Sequence, residues 1–338
     1  MKAQTQPLDC TMEMLASGQE IIRKPKLPAS YLEKHPQNLL RYLVRMGLMW
    51  TVPALISASI LTAGVSWWLA VPTFILFGWL TGFGMACGQW LGHDAAHGAL
   101  LKNRKAGMML GNFFASATPF YSNTGFSKYH LDHHKYVNGE KDEDVWYYSQ
   151  FNTLWERLIL VRIKKNRAYL KATWSLWRDN TGFASFSARE TRQIILANLA
   201  SSLAWLGFYG WLATVWPELF FTLVVAPTLA LAIGTGCLTY QQHADTDAVN
   251  PNDYWRNARS LTSRFWTLLY TGGNFHLEHH LYPAVPVWNL PKVHRFLKLH
   301  GYLSQPGLHL DASNFGGYKY FSPVHRYPVP AAQTDVTL

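Results

Sequence analysis

Residues 46–92 read MGLMWTVPALISASILTAGVSWWLAVPTFILFGWLTGFGMACGQWLG, forty-seven residues between Arg45 and His93 without one charged side chain. Coiled as a helix at 1.5 Å per residue, such a run would reach roughly 70 Å, about twice the ~30 Å hydrocarbon thickness of a bilayer. It therefore predicts two spanning helices, and the looser composition of residues 62–66 places the turn between them. A second run lies between Arg192 and His243, fifty residues broken only by Glu218. Trp216, Pro217 and Glu218 mark its turn. The expected fold is an all-α membrane protein with four transmembrane helices in two hairpins, spanning near residues 46–66, 68–92, 193–214 and 218–242.

Charge placement orients the hairpins. Lys and Arg are absent from both turns but crowd the other connections: Arg41 and Arg45, then Lys102, Arg104 and Lys105, then Arg157, Arg162, Lys164, Lys165 and Arg167. The positive-inside rule puts both termini and a helical cap in the cytoplasm. With 49% hydrophobic and 15% charged residues, the chain is richer in apolar groups than a soluble enzyme needs. A net charge of +10 also raises nucleic acid as a partner. The basic residues flank apolar runs, however, where membrane lipids with anionic headgroups account for them, and no nucleic acid is expected. Trp50, Trp67, Trp68, Trp90 and Trp216 lie near span ends, as interfacial anchors do.

Outside the runs, residues 1–40 are a polar N-terminal arm without an apolar stretch of signal-peptide length. Residues 41–325 form the membrane domain, and 326–338 are expected to be a flexible tail. Residues 108–121 are too short an uncharged segment to span, so they are expected to lie in the interface or to re-enter. Residues 155–169 suggest a helix resting on the membrane surface. Asn289 is placed to cap a helix with Pro291 in its first turn, Gly301 past its end and Leu290, Val293 and Leu297 as its apolar stripe. Cys10, Cys87 and Cys237 have no paired spacing and are read as reduced thiols.

Of fourteen histidines, nine fall in four places: His93 and His97; His130, His133 and His134; His243; and His276, His279 and His280. In H-D-A-A-H the rings stand at i and i+4 on one helical face, and in H-L-D-H-H and H-L-E-H-H the i, i+3 and i+4 rings share a face. The expected topology brings all four places to the cytoplasmic side. Nine neutral imidazoles are too many for one zinc ion and suit two metals with four or five nitrogens each. Imidazole accepts iron, copper, nickel and zinc, so the residue type leaves the metal open. Asp94, Asp132, Asp245 and Glu278 are interleaved with these histidines and are candidates to accept the outer N–H of ligating rings. Gln242 and Asn274 stand beside candidate ligands and are candidates for the same supporting layer. His35, His294, His300, His309 and His325 are isolated and read as surface or packing histidines.

In order and spacing, HDAAH, HLDHH and HLEHH resemble the three histidine boxes of the membrane fatty acid desaturase and hydroxylase superfamily. The resemblance runs from about residue 40 to residue 303, and HHLYPAVPVWNLPKVH looks like bacterial acyl-lipid desaturases. It implies two iron ions held by the box histidines, with His243 as the additional ligand after the last span and no catalytic residue beyond the ligands. It implies O₂ as co-substrate, a fatty acyl substrate and a bacterial inner membrane. The chain carries no haem-binding domain and no cysteine set for an iron–sulfur centre, so electrons are expected from a ferredoxin or rubredoxin with its reductase. Desaturation is the leading expectation. Hydroxylation, acetylenation or oxidative decarboxylation of fatty acids, and carotenoid ketolation or hydroxylation, use similar boxes. A zinc-dependent intramembrane hydrolase would use only H-D-A-A-H, with Asp94 as base, and leave seven histidines idle. A metal transporter would place its ligands near the bilayer midplane.

Overall fold

The computed structural model describes residues 12–14, 20–247, 253–314 and 316–328. Cys10, the side chain of Cys237 and residues 329–338 lie outside them. Strands β1 (Met12–Met14) and β2 (Glu20–Ile22) pair antiparallel. The first uncharged run forms α1 (Pro36–Thr62) and α2 (Trp67–Ala96), with Gly64 at φ +60° in the turn. His35 caps α1, its ring nitrogen accepting the Gln37 N–H at 3.3 Å, and Pro36 fills the first turn, where a missing N–H costs nothing.

Three short helices and one longer one follow: α3 (Arg104–Ala115), α4 (Asn123–Tyr136), α5 (Glu143–Tyr148) and α6 (Val161–Arg178). The second uncharged run forms α7 (Ala188–Val215), opened by a Ser187/Glu190 capping box, and then, after Trp216, a nearly continuous helix. That helix comprises α8 (Pro217–Phe220), a π-helical turn at Phe221–Val225 and α9 (Ala226–His243). Pro227 has no N–H to offer the helical ladder, and the register shifts in the turn just before it. The rest of the chain adds β3 (Arg259–Leu261), α10 (Arg264–Tyr270), α11 (His276–Leu281), α12 (Leu290–Leu299), β4 (His309–Asp311, parallel to β3) and α13 (Gly316–Lys319).

Among the described residues three helices are long and apolar enough to cross a bilayer, Ala29–Thr62, Trp67–Ala96 and Ala188–Val215, and a shorter apolar helix covers Pro217–Ile233. Leu48, Val52, Leu55, Ile75, Leu199, Leu203 and Trp211 lie exposed on these helices. Water would penalise that much contiguous apolar surface; lipid does not. Small residues on α2 let its neighbours approach. A Cβ on Gly84 would come 2.5 Å from the Trp50 backbone nitrogen, and one on Gly92 would overlap Asn123 Oδ1 on α4.

Several local expectations change. Trp50 and Trp90 are buried rather than interfacial: Trp50 Nε1–H donates to Leu223 O at 2.9 Å, and the Trp90 ring backs His93. Trp67, Trp68 and Trp216 are exposed. Residues 108–121 start in α3, whose Met108, Gly111 and Ala115 are buried where it packs on α2 and α7. Asn289 does not cap α12 with its side chain. Its amide donates instead to Tyr31 O at 3.0 Å, while Leu290, Val293 and Leu297 are buried as a stripe.

Two basic residues assigned to the membrane surface point inward. The buried Arg157 guanidinium donates to Phe151 O, Ser322 O and His325 O at 3.0, 2.9 and 2.8 Å, fastening the C-terminal segment to the cap. Lys165 is also buried. The polar arm lies along the cap, with Ile21 and Leu27 buried and Lys24 Nζ donating to Leu281 O at 2.9 Å. The expected flexible tail is ordered at its start, where Tyr327 is buried with its ring 5.6 Å from that of His243.

Candidate metal centre

The nine box histidines meet in two groups: His93, His97, His130, His134 and His279 in one, His133, His243, His276 and His280 in the other. Within each group the candidate ligand nitrogens lie within 4.8 Å of one another. Helical geometry explains the division. In each H-x-x-H-H box the i and i+4 rings stay together, His130 with His134 and His276 with His280, while the i+3 ring, His133 or His279, turns to the other group. The groups adjoin through His134 and His280, whose rings stack at 4.3 Å.

Four segments supply them. His93 and His97 close α2, His130, His133 and His134 lie on α4, His243 ends α9, and the third box forms α11. Ser122 caps α4, and the Asn123 side chain donates to Gly92 O and to Asn112 Oδ1, tying the second box to the end of α2. Because His97 and His134 share a group, the chain between them returns to the side it left. The same holds for residues 135–242, between His134 and His243.

Partners on the outer nitrogens fix where the protons sit. His133 Nδ1–H donates to Asp142 Oδ2 at 2.8 Å, and His243 Nδ1–H to Asn257 O at 3.0 Å. His93 Nδ1 faces Asp94 Oδ1 at 3.3 Å, while Asp94 Oδ2 accepts the Val287 N–H at 2.8 Å. The Nε2 atoms of these rings are left as lone pairs. His243 Nε2 faces His276 Nε2 at 2.9 Å, and His279 Nε2 faces His134 Nε2 at 2.9 Å. His93 Nε2 and His97 Nε2 are buried with no hydrogen-bond partner. Converging buried lone pairs repel, and a metal ion in each group would turn that repulsion into coordination, so the residues fit two metals.

Burial disfavours the charged form of these rings. It pushes His97 down to about 3, with the Arg104 and His133 charges adding to it. His130, His134, His276, His279 and His280 are all held well below the usual histidine range, by burial first and by neighbouring rings second. Burial pulls His133 the same way, but the Asp142 carboxylate outweighs it and raises that ring. Rings held neutral by burial leave their nitrogens free to bind a metal.

The acids expected around the rings divide. Asp94 meets His93. Asp132 instead pairs with Lys128 at 3.0 Å on the outer face of α4, one turn along the same helix. Asp245 takes the His325 ring at 2.6 Å and the Arg326 N–H, away from both groups. Glu278 is fully buried but faces away from the metal-facing rings, accepting from Ser260 Oγ and from His294, which is thereby not an isolated histidine. Asn274 Nδ2 donates to Leu261 O at 2.6 Å and holds the loop before α11, not a ligand. Gln242 lines the cavity beside the histidines.

Asp142 was missed, although Asn138-Gly139 signals a tight turn that returns the chain towards α4. Asn138 takes φ +56°, and its N–H and the His133 ring both donate to Asp142 Oδ2. The Asn138 amide also donates to Thr246 Oγ1 and Asn257 O at 3.1 and 2.9 Å, locking the two halves of the cap beside the second group.

A cavity of about 120 Å³ adjoins both groups, lined by His93 and His130 of one and by His133, His243 and His276 of the other. Trp90, Phe126 and Tyr121 form its apolar wall.

The family model for fatty acid desaturases matches residues 66–307. Among curated proteins, the chain is 26% identical over 283 residues to a dihydrorhizobitoxine desaturase of Bradyrhizobium elkanii, covering 77% of this chain and 75% of that protein. It is 22% identical over 308 residues to an sn-1 oleoyl-lipid 12-desaturase of Picosynechococcus sp., covering 79% and 84%.

Proposed function

The chain belongs to the fatty acid desaturase family, and from that premise we propose that it is an oxygen-dependent membrane enzyme that desaturates an aliphatic acyl substrate at two histidine-held iron ions. The observation that carries this reading is the convergence of all nine box histidines into two adjoining groups of five and four. A one-zinc hydrolase would need only His93 and His97 and gives no reason for the other seven to meet there.

When bound, the two irons supply the reduction of O₂ that removes hydrogen from an unactivated C–H bond. The chain supplies everything else. Asp94, Asp142 and the Asn257 carbonyl orient His93, His133 and His243 and keep their inner nitrogens deprotonated. Trp90, Phe126 and Tyr121 keep bulk water from the face where the substrate lies. The cavity presents one stretch of substrate to both groups, so two neighbouring C–H bonds can be reached without re-binding.

In this reading α1, α2, α7 and the α8–α9 run cross the bilayer as two hairpins, with the histidines on the cytoplasmic side. Electrons come from a separate ferredoxin or rubredoxin with its reductase. Exposed Lys135, Lys292, Arg295 and Lys298 give that face the charge to receive an acidic carrier. Purified protein should contain about two irons per chain, as the two groups require. Products from cells expressing it should lack two hydrogens and carry no label from ¹⁸O₂, whereas His134→Ala cells should make none. One zinc per chain, or ¹⁸O in the organic product, would overturn the assignment.

A further inference from the structure

The third histidine box sits on a helix too short to set its own orientation. α11 has six residues, yet it sends His279 to one group and His276 and His280 to the other. A helix of that length closes only about two of its own i to i+4 hydrogen bonds, so its rotation about its axis must be fixed from outside. Glu278, between the ligands in sequence, points away from the metal-facing rings and is 0% exposed. Its two carboxylate oxygens are taken by two other elements: Oε2 accepts from the Ser260 hydroxyl on β3 and Oε1 from His294 Nδ1–H on α12, each at 2.5 Å. The Ser260 oxygen in turn accepts the Leu277 N–H at 3.0 Å, one of the donors that the first turn of α11 leaves without a helical partner. The His294 ring also lies 4.8 Å from that of Phe275, the residue before the helix.

A buried carboxylate is costly unless its oxygens are answered, and an apolar side chain would fill the same space without that demand. What the carboxylate adds is direction, because a hydrogen bond weakens steeply on misalignment whereas apolar contact does not. Turning α11 would strip both bonds at Glu278 and swing all three ligand rings together. None of Ser260, Glu278 and His294 belongs to either histidine group or lines the cavity. Resting on the reading of the histidines as a two-metal site, we propose that these three are positioning residues: they lock the rotation of α11 and so aim His276, His279 and His280. Since one helix serves both groups, releasing the lock loosens both metals at once.

The test is metal binding, independent of turnover. Co²⁺, whose visible spectrum reports the arrangement of its nitrogen ligands, is titrated into metal-free full-length protein in nanodiscs. The wild type should take up about two per chain, one for each group. His294→Ala and Ser260→Ala should each weaken both sites about tenfold and alter the spectrum, the size of effect that support behind the ligands provides. His294→Asn carries an amide N–H at the position of Nδ1 and should restore affinity and spectrum. His294→Gln, whose amide reaches the position of Nε2, should not. The comparison of Asn with Gln decides even where the alanine variant fails to fold. Unchanged affinity and spectrum in a normally melting His294→Ala protein, recovery with Gln as complete as with Asn, or weakening confined to one site would overturn the lock and leave the metal site standing. Uptake of fewer than two Co²⁺ by the wild type would overturn the two-metal reading itself, and the lock with it.

Discussion

At the scale of single residues, Asp142 carries the sharpest expectation. It is 1% exposed, and its Oδ2 accepts from both His133 Nδ1 and the Asn138 N–H. An asparagine there keeps the shape but can offer N–H to the ring, which favours the tautomer whose proton sits on the metal-facing nitrogen. Asp142→Asn should therefore weaken metal retention about 10- to 100-fold, read as iron remaining against a graded chelator. His133→Ala should lose iron outright, and exposed His300→Ala should match the wild type. The i, i+3, i+4 spacing made the ligand candidates legible, because it depends only on helical periodicity. Which acid supports which ring was not legible from proximity in sequence. Asp132 is adjacent to His133 yet points outward, while Asp142 is nine positions away and reaches it across a turn.

Among elements, the contact of α2 with α4 aligns the first two boxes, and Gly92 sets how close they come. A methyl group there would overlap the Asn123 side chain, which also holds Asn112. Gly92→Ala should cost about 1–3 kcal/mol from overpacking and part His93 from His130. Its signature would be a lower melting temperature together with reduced iron content, whereas Gly207→Ala, where nothing lies within 4 Å, should alter neither. A normal iron content with a normal melting temperature in Gly92→Ala would count against this packing role. The long helices and their turns could be read from the uncharged runs because lipid-facing composition is dictated by the solvent. The strap at residues 21–31 and the docking of residues 320–328 could not, since their attachment relies on backbone carbonyls that any sequence possesses. Arg157 illustrates the difficulty: composition makes it a membrane-flanking cation, while in the fold it clamps carbonyls.

For the whole molecule, the histidines come from positions 93 to 280, so a metal held by them would cross-link distant segments. Chelation should lower the melting temperature by at least about 4 °C, and restored iron should reverse it. The same convergence constrains the membrane topology. In the proposed topology the four ligand segments, since they meet, lie on one side of the bilayer, and each apolar run between them crosses an even number of times or not at all. In the proposed topology α2 crosses once between Ala63 and His93, which puts the turn at Ala63 on the face opposite the histidines. Lys and Arg are absent from both inter-helix turns, so the positive-inside rule predicts a cytoplasmic face for the histidines in the proposed topology, even with Arg157 and Lys165 buried and removed from the count. Ala63 and Lys298 are both exposed, so cysteine at either position is open to reagent from its own side. In intact cells an impermeant maleimide should label Ala63→Cys above the wild-type background and leave Lys298→Cys unlabelled until lysis. Labelling of both before lysis would break the two-hairpin topology, because the single crossing by α2 between Ala63 and His93 puts the turn and the histidines on opposite faces. Labelling of Lys298→Cys alone would invert the protein and place the histidines, and the electron donor that must reach them, outside the cytoplasm.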